Sequence, residues 1–252
     1  MKRMSRTVLS CGIIAASVTG AVTSCSSSDT SVAPTTSSSV TTTAAVPSTS
    51  ALPPSTPESE RALFDAVDRN DPAAITAALG AGANIEARGE DERTPLVEAT
   101  KNNSVAAAST LILAGADVNA KDSMQDSAFL YSGAEGLSEI LALTLTHGAD
   151  VDSVNRYGGT ALIPASEHAH VETVRMLIAA GVPVDHVNDP GWTALLEAVV
   201  YGDGSARYVD VITQLLDAGA DPSIRDASGK TALDNAESRG QTDVVALLQS
   251  RS

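Results

Sequence analysis

The residues that could do chemistry here are histidines and carboxylates, because the only cysteines, Cys11 and Cys25, both lie within the first 25 residues. His168 and His170 form an H-x-H pair with Glu167 beside them. Such a trio could begin a metal site or supply a general base. A metal site also needs a third ligand at a recognised spacing, and none stands there. His147 precedes Gly148 where a helix should end, a position at which a cation suits the helix dipole. No G-x-S-x-G, P-loop, G-x-G-x-x-G or C-x-x-C occurs. The stretch Val151-Asp152-Ser153-Val154-Asn155 lacks the alternating ligands and distal glutamate of a Ca²⁺ loop. The expectation is a non-enzymatic chain with no metal and no cofactor. A lipid-anchored hydrolase or metal-dependent enzyme using His168, His170 and nearby carboxylates stays open as the alternative.

The elements that would position these groups repeat along the chain. Residues 94–122 contain a helix start, two apolar runs and a glycine stop. The glycine recurs every 33 residues at Gly82, Gly115, Gly148 and Gly181, then at Gly219 after a step of 38. The start recurs as Thr94, Ser127, Thr160, Thr193 and Thr231. Thr94 can cap a helix whose first residue is Pro95, where the missing N–H costs nothing. Leu96, Val97 and Ala99 give that helix one apolar side, and Val105 to Leu113 is apolar nearly throughout, as in a helix packed between neighbours. Gly115 stands where a left-handed helix end is wanted, and Asp117-Val118-Asn119 opens a turn-rich connection. One such helix pair cannot bury its apolar face alone, so the units must stack.

A period near 33 with a T-P/A-L opening and a G-A-D/N close resembles the ankyrin repeat, over about residues 60–250. The resemblance implies an all-α ankyrin-repeat solenoid of about six stacked helix-turn-helix units with β-turn fingers. The domain is expected over 58–252, with units at about 60–88, 89–122, 123–155, 156–188, 189–226 and 227–250. The first unit has Arg61-Ala62-Leu63 in place of the opening motif, and Asp71-Pro72 should start its second helix. The third unit opens Ser127-Ala128-Phe129. The fourth carries Pro164 inside its first helix, which should remove one backbone bond and tighten or bend the start. The fifth has five extra residues within 202–209, between its helices. Many ankyrin repeats have histidine at the fourth motif position, where this chain has Phe64, Val97, Leu130, Ile163 and Leu196. Packing should replace the polar bridge there. Asp234 takes that position in the last unit, as suits a more polar terminal cap.

The amino end is a different object. Lys2, Arg3 and Arg6 precede a mildly apolar run, Val8 to Val22, too short and too polar for a membrane span. Residues 1–24 read as a signal peptide. Val22-Thr23-Ser24-Cys25 resembles the bacterial lipobox, which implies that Cys25 is acylated, with chains such as palmitate, and becomes the first residue. Residues 25–57, almost all Ser, Thr, Ala, Val and Pro, read as a disordered tether reaching roughly 30 Å as a coil. The expected location is the cell membrane, on its extracytoplasmic or periplasmic side. Loss of the three early cations would take the formal charge from −15 to about −18. So acidic a surface repels nucleic acid and anionic headgroups.

In ankyrin proteins the partner meets the finger tips and the exposed side of each first helix. In register, those positions are Glu90, Asp91, Arg93, Lys101 and Asn102 in unit two, and Ser123, Met124, Asp126, Ala134 and Glu135 in unit three. Units four and five place most of the exposed-type aromatics there. The candidate partner-binding residues are Arg156, Tyr157, Glu167, His168, Trp192 and Tyr201. A second reading is open, in which Trp192 folds back over its own finger and the tyrosines fill helix grooves. The expected function is recognition, by a monomer, of another cell-envelope protein that is not strongly acidic.

Overall fold

Thr56 and Pro57 start the helical stack with the same device that the sequence shows at Thr94 and Pro95. The Thr56 hydroxyl accepts from the Ser59 N–H at 3.1 Å, and the Ser59 hydroxyl accepts from the Thr56 N–H at 3.0 Å. Both orphan donors of the helix end are thereby satisfied. Ser55 accepts from the Asn84 N–H at 3.1 Å, tying the entry to the first helix-pair exit. This computed structural model describes residues 53–251. The signal-like segment 1–24, Cys25 and the tether as far as residue 52 lie outside the described residues.

The described residues form six helix pairs. These are α1 (Pro57–Asp68) with α2 (Pro72–Gly80), α3 (Pro95–Lys101) with α4 (Val105–Leu113), and α5 (Ala128–Ala134) with α6 (Ser138–Thr146). They continue with α7 (Leu162–Glu167) and α8 (Val171–Ala179), α9 (Ala194–Val200) and α10 (Ala206–Asp217), and α11 (Ala232–Arg239) and α12 (Thr242–Gln249). No strand occurs among them, and the architecture is an all-α ankyrin-repeat solenoid. None of these helices is long and apolar enough to cross a membrane.

The opening hydroxyls cap as expected in four units. Thr94 accepts from Val97 N–H, Ser127 from Leu130, Thr193 from Leu196 and Thr231 from Asp234, at 3.1–3.2 Å. Asp234 also reaches back to the Thr231 N–H at 2.9 Å, so the polar fourth position of the last unit completes a capping box. Unit four is the exception. Pro164 offers no N–H to the Thr160 carbonyl, which instead accepts from Ile163 at 3.2 Å. That tighter turn draws Ile163 away from the Thr160 hydroxyl, which is left buried without a partner, and α7 begins only at Leu162.

At the other end of the first five pairs the chain turns through a positive-φ glycine. Gly115 lies at φ +96°, its N–H bonded to the Ile112 carbonyl, while Ala116 N–H bonds Leu111, both at 3.0 Å. This double closure satisfies carbonyls that the helix end leaves free. The five extra residues of unit five divide between a longer connection and a longer second helix, since α10 has 12 residues where α4, α6 and α8 have 9. The interior is mostly leucine, alanine, isoleucine and valine, with Leu63, Leu96, Leu111, Leu162, Leu195 and Ile212 all fully buried. Val97, Leu130, Ile163 and Leu196 are buried too, so packing does fill the fourth motif position.

Candidate functional site

Four of the five fingers are built from the inside by one Asx residue each, the unit-two finger having Gly89 at that position. Asp122 Oδ1 accepts from the N–H groups of Met124 and Asp126, both at 2.9 Å. Asn155 does the same for Tyr157 and Gly159, Asn188 for Trp192, and Asp226 for Ser228 and Lys230. These short polar residues suit such turns because the side chain replaces a missing backbone partner. Neighbouring fingers are joined by Ser123 N–H to the Asp91 carbonyl and Asp189 N–H to the Tyr157 carbonyl, both 2.9 Å. The fingers thus form one wall, and the outer sides of the first helices form the other. Between them, across units three to five, runs an open groove of about 520 Å³.

Five of the six residues singled out from the sequence line this groove: Arg156, Tyr157, Glu167, His168 and Tyr201. Tyr157 is 53% exposed and Tyr201 59% exposed. The Arg156 guanidinium lies over the Tyr157 ring at 4.6 Å, an arrangement favoured by the ring quadrupole. Trp192 is placed differently. It is half-buried against core side chains, and its ring meets Tyr201 at a centroid distance of 6.3 Å. Its N–H and carbonyl are both engaged by Asn188.

The floor holds a residue that the family positions do not include. Glu197 on α9 is only 7% exposed yet lines the groove. Its Oε1 accepts from Asn188 Nδ2 at 2.9 Å. Burial pushes its carboxyl up to about 7, the adjacent Glu167 carboxyl adds to the shift, and the Asn188 amide opposes it. A signal was available in the sequence, since Glu197 is the single charge in Ala194-Leu195-Leu196-Glu197-Ala198-Val199-Val200. Its neighbours were not legible, because Asn188 and Glu167 come from a finger and from the preceding unit.

At the other end of the groove two carboxylates are matched within the chain. Lys101 Nζ lies 2.8 Å from Asp126 and 3.3 Å from Asp122, and 4.2 Å from the centre of the Tyr131 ring. Burial alone would lower its pKa, but the bond to Asp126 and the charges of Asp126 and Asp122 hold it above the ordinary lysine value. Arg93 likewise pairs with Asp91 at 3.0 Å and Glu98 at 3.2 Å.

His168 and His170 face each other at 5.7 Å between ring centres. His170 is packed over Gly136, where an added Cβ would lie 2.6 Å from its Nδ1. Burial lowers its pKa, with the His168 and Arg207 charges acting the same way. Arg207 and Tyr208, on the longer helix α10, strap the end of α7 by donating to the carbonyls of His168, Ala169 and Glu167 at 2.9–3.0 Å. Among the described residues, no three His, Cys, Asp or Glu side chains are grouped to hold a metal ion. His147 bonds the Leu143 carbonyl through Nδ1 at 2.8 Å, closing its own helix end.

The repeat pattern also stands out against known proteins. Residues 128–226 match the family profile for ankyrin repeats in three copies, and residues 91–123 match that of the single ankyrin repeat. No curated protein sequence matches the chain. Among solved structures, an ankyrin repeat domain from Acinetobacter baumannii is 52% identical with a TM-score of 0.73, covering 75% of this chain and 96% of that one. A second solved ankyrin repeat protein is 40% identical with a TM-score of 0.72, covering 75% and 97%. Ankyrin repeats are in general protein–protein interaction modules, and proteins of this fold are typically not enzymes. The chain belongs to the ankyrin-repeat family.

Proposed function

We propose that the chain is a membrane-tethered binding module that recognises another cell-envelope protein through the groove of units three to five. The observation that carries this reading is the groove itself. It is open, it carries two exposed tyrosines, and its fourth and fifth fingers are tied by the bond from Asp189 N–H to the Tyr157 carbonyl. A rigid surface with aromatic anchors loses little entropy on binding, so its contact energy goes into affinity. Tethering rests on the lipobox-like Val22-Thr23-Ser24-Cys25 and the following Ser/Thr/Pro-rich segment. The net charge of −15 favours a basic or neutral partner and disfavours nucleic acid.

Site-specific photo-crosslinking tests the reading in intact cells. A photoreactive residue at Tyr157 or Tyr201 should trap one discrete protein in the membrane fraction. The same residue at Leu113, which is 73% exposed on the second-helix side, should not. Equal capture from both faces, or none from the groove, would remove the groove as the recognition surface.

A further inference from the structure

The repeat register shows that the groove lacks a positive charge which the chain supplies to itself elsewhere. Seven residues after the opening of unit two stands Lys101, lying on two carboxylates and the Tyr131 ring of unit three. Two repeat lengths further on, the same position is occupied by Glu167, and the position of Tyr131 by Glu197. Where the unit two–three junction has a cation on an acidic, aromatic seat, the unit four–five junction has two adjacent carboxyls. Neither Glu167 nor Glu197 forms an ion pair with any described residue, although Glu197 is nine-tenths buried and lines the groove. An uncompensated carboxyl at that depth needs either a proton or a cation from outside.

We propose that the groove of units four and five receives an arginine side chain of the partner, its guanidinium bound by Glu167 and Glu197 and flanked by Tyr157 and Tyr201. This rests on the groove being the recognition surface. A guanidinium has donors on two edges and a flat apolar face, so it can bond carboxyls on two helices while stacking on a tyrosine. A lysine ammonium has no such face. The groove already shows that contact, with Arg156 over Tyr157. Three lining carboxyl groups without an ion-pair partner among the described residues, Glu135, Glu167 and Glu197, outnumber the one lining guanidinium, Arg156.

Entry of the guanidinium should expel the proton that Glu197 otherwise holds. The groups that line the groove beside Glu197 are Glu167 at the end of α7, His168 just after it, Arg156 and Tyr157 from the fourth finger, and Asn188 from the fifth. Tyr201 follows the end of α9, and the helices packed against α9 carry Arg207 and Tyr208 (α10) and Asn235 and Arg239 (α11). Of all these, only Glu167 and Asn188 act on the Glu197 carboxyl. For one group titrating near 7 that must lose its proton to bind, affinity should rise about tenfold from pH 6 to pH 8.

The test uses the full chain and fluorescein-labelled octapeptides of alternating Gly with Arg, Lys or Glu, read by anisotropy at low salt. The Gly-Arg peptide should bind, more tightly at pH 8 than at pH 6, and the Gly-Glu peptide should not. Glu197→Gln keeps the shape and the Asn188 contact. It should weaken Gly-Arg binding at pH 8 about tenfold or more and abolish the pH dependence. Glu167→Lys should abolish binding while raising the melting temperature, because it restores the cation that unit two has. Equal affinity for Gly-Lys or for spermidine would overturn the guanidinium assignment. A pH dependence that survives Glu197→Gln would belong to another group and would overturn the proton linkage. If groove crosslinks form in cells but Glu197→Gln leaves them unchanged, the arginine inference fails while the groove remains the recognition surface. Absence of groove crosslinks in the unsubstituted protein would instead remove that surface.

Discussion

Glu197 also sets a pH dependence of stability that binding does not enter. Its carboxyl holds a proton more tightly folded, near 7, than unfolded, near 4.5. Unfolding therefore releases a proton between those values, and stability should fall as the pH rises through that window and level off above it. Glu197→Gln carries no charge and should escape the loss. The variant is expected to gain stability over wild type between pH 5 and pH 8, by up to about 3 kcal/mol. Urea unfolding at the two pH values checks this, and parallel wild-type and variant curves would show that Glu197 does not titrate there. The same substitution should thus weaken arginine binding and strengthen the fold, a pairing that a merely structural defect would not give. Asp226 and Asp234 act in the opposite sense at lower pH. The Asn235 bond and the Thr231 N–H hold them below the ordinary aspartate value, so their contribution is lost as the pH falls through and below that value.

Among the elements, the helix ends decide most. Gly115 and Gly148 lie at φ +96° and +87°, with open space where a Cβ would go. Replacement by valine therefore meets only backbone strain, and either variant should lose on the order of 1–3 kcal/mol in chemical denaturation. Unchanged stability would mean that the turn can close without a left-handed residue. Helix α7 offers a gain in the other direction. Pro164→Ala restores an N–H for the Thr160 carbonyl and frees Ile163 to bond the buried Thr160 hydroxyl, as its counterparts do in four other units. One recovered bond and one satisfied hydroxyl should add about 1 kcal/mol, less the unfolded-state stiffness that proline had supplied. Thermal or urea unfolding decides it, and a loss of stability would show that the tight start is not under strain. The proline and the glycines were legible because their backbone limits are local. The redistribution of the unit-five insertion into a longer α10 was not, since the strap from Arg207 and Tyr208 to the α7 end joins residues about forty apart.

For the whole molecule, charge and the proposed tethering would combine. A lipid at Cys25 would hold the groove near the membrane at a distance set by the tether, raising the effective concentration against an envelope partner. Cys25→Ala should release the protein from the membrane fraction and cut partner crosslinking at Tyr157 in cells, while leaving Gly-Arg peptide binding in solution intact. Retention of Cys25→Ala in membranes, shown by fractionation, would mean that something other than a lipid holds it there. Acidic residues across the chain should steer a basic partner, so added salt should slow association more than it speeds dissociation.

The sequence alone determined the architecture. A 33-residue period, hydroxyl starts and glycine stops are short-range signals, and each reports a backbone requirement satisfied within a few residues. The helix pairs therefore formed where those signals stood. What the sequence could not determine is which side chains share a groove. Tyr157, Glu167 and Tyr201 were placed there by family register, but Trp192 is drawn toward the core and Glu197 is brought up against Glu167, one repeat away. Stacking decides this, because the charge balance of each junction depends on residues from two units and a finger. Only the assembled solenoid shows that Lys101 neutralises one junction and that nothing among the described residues neutralises the other.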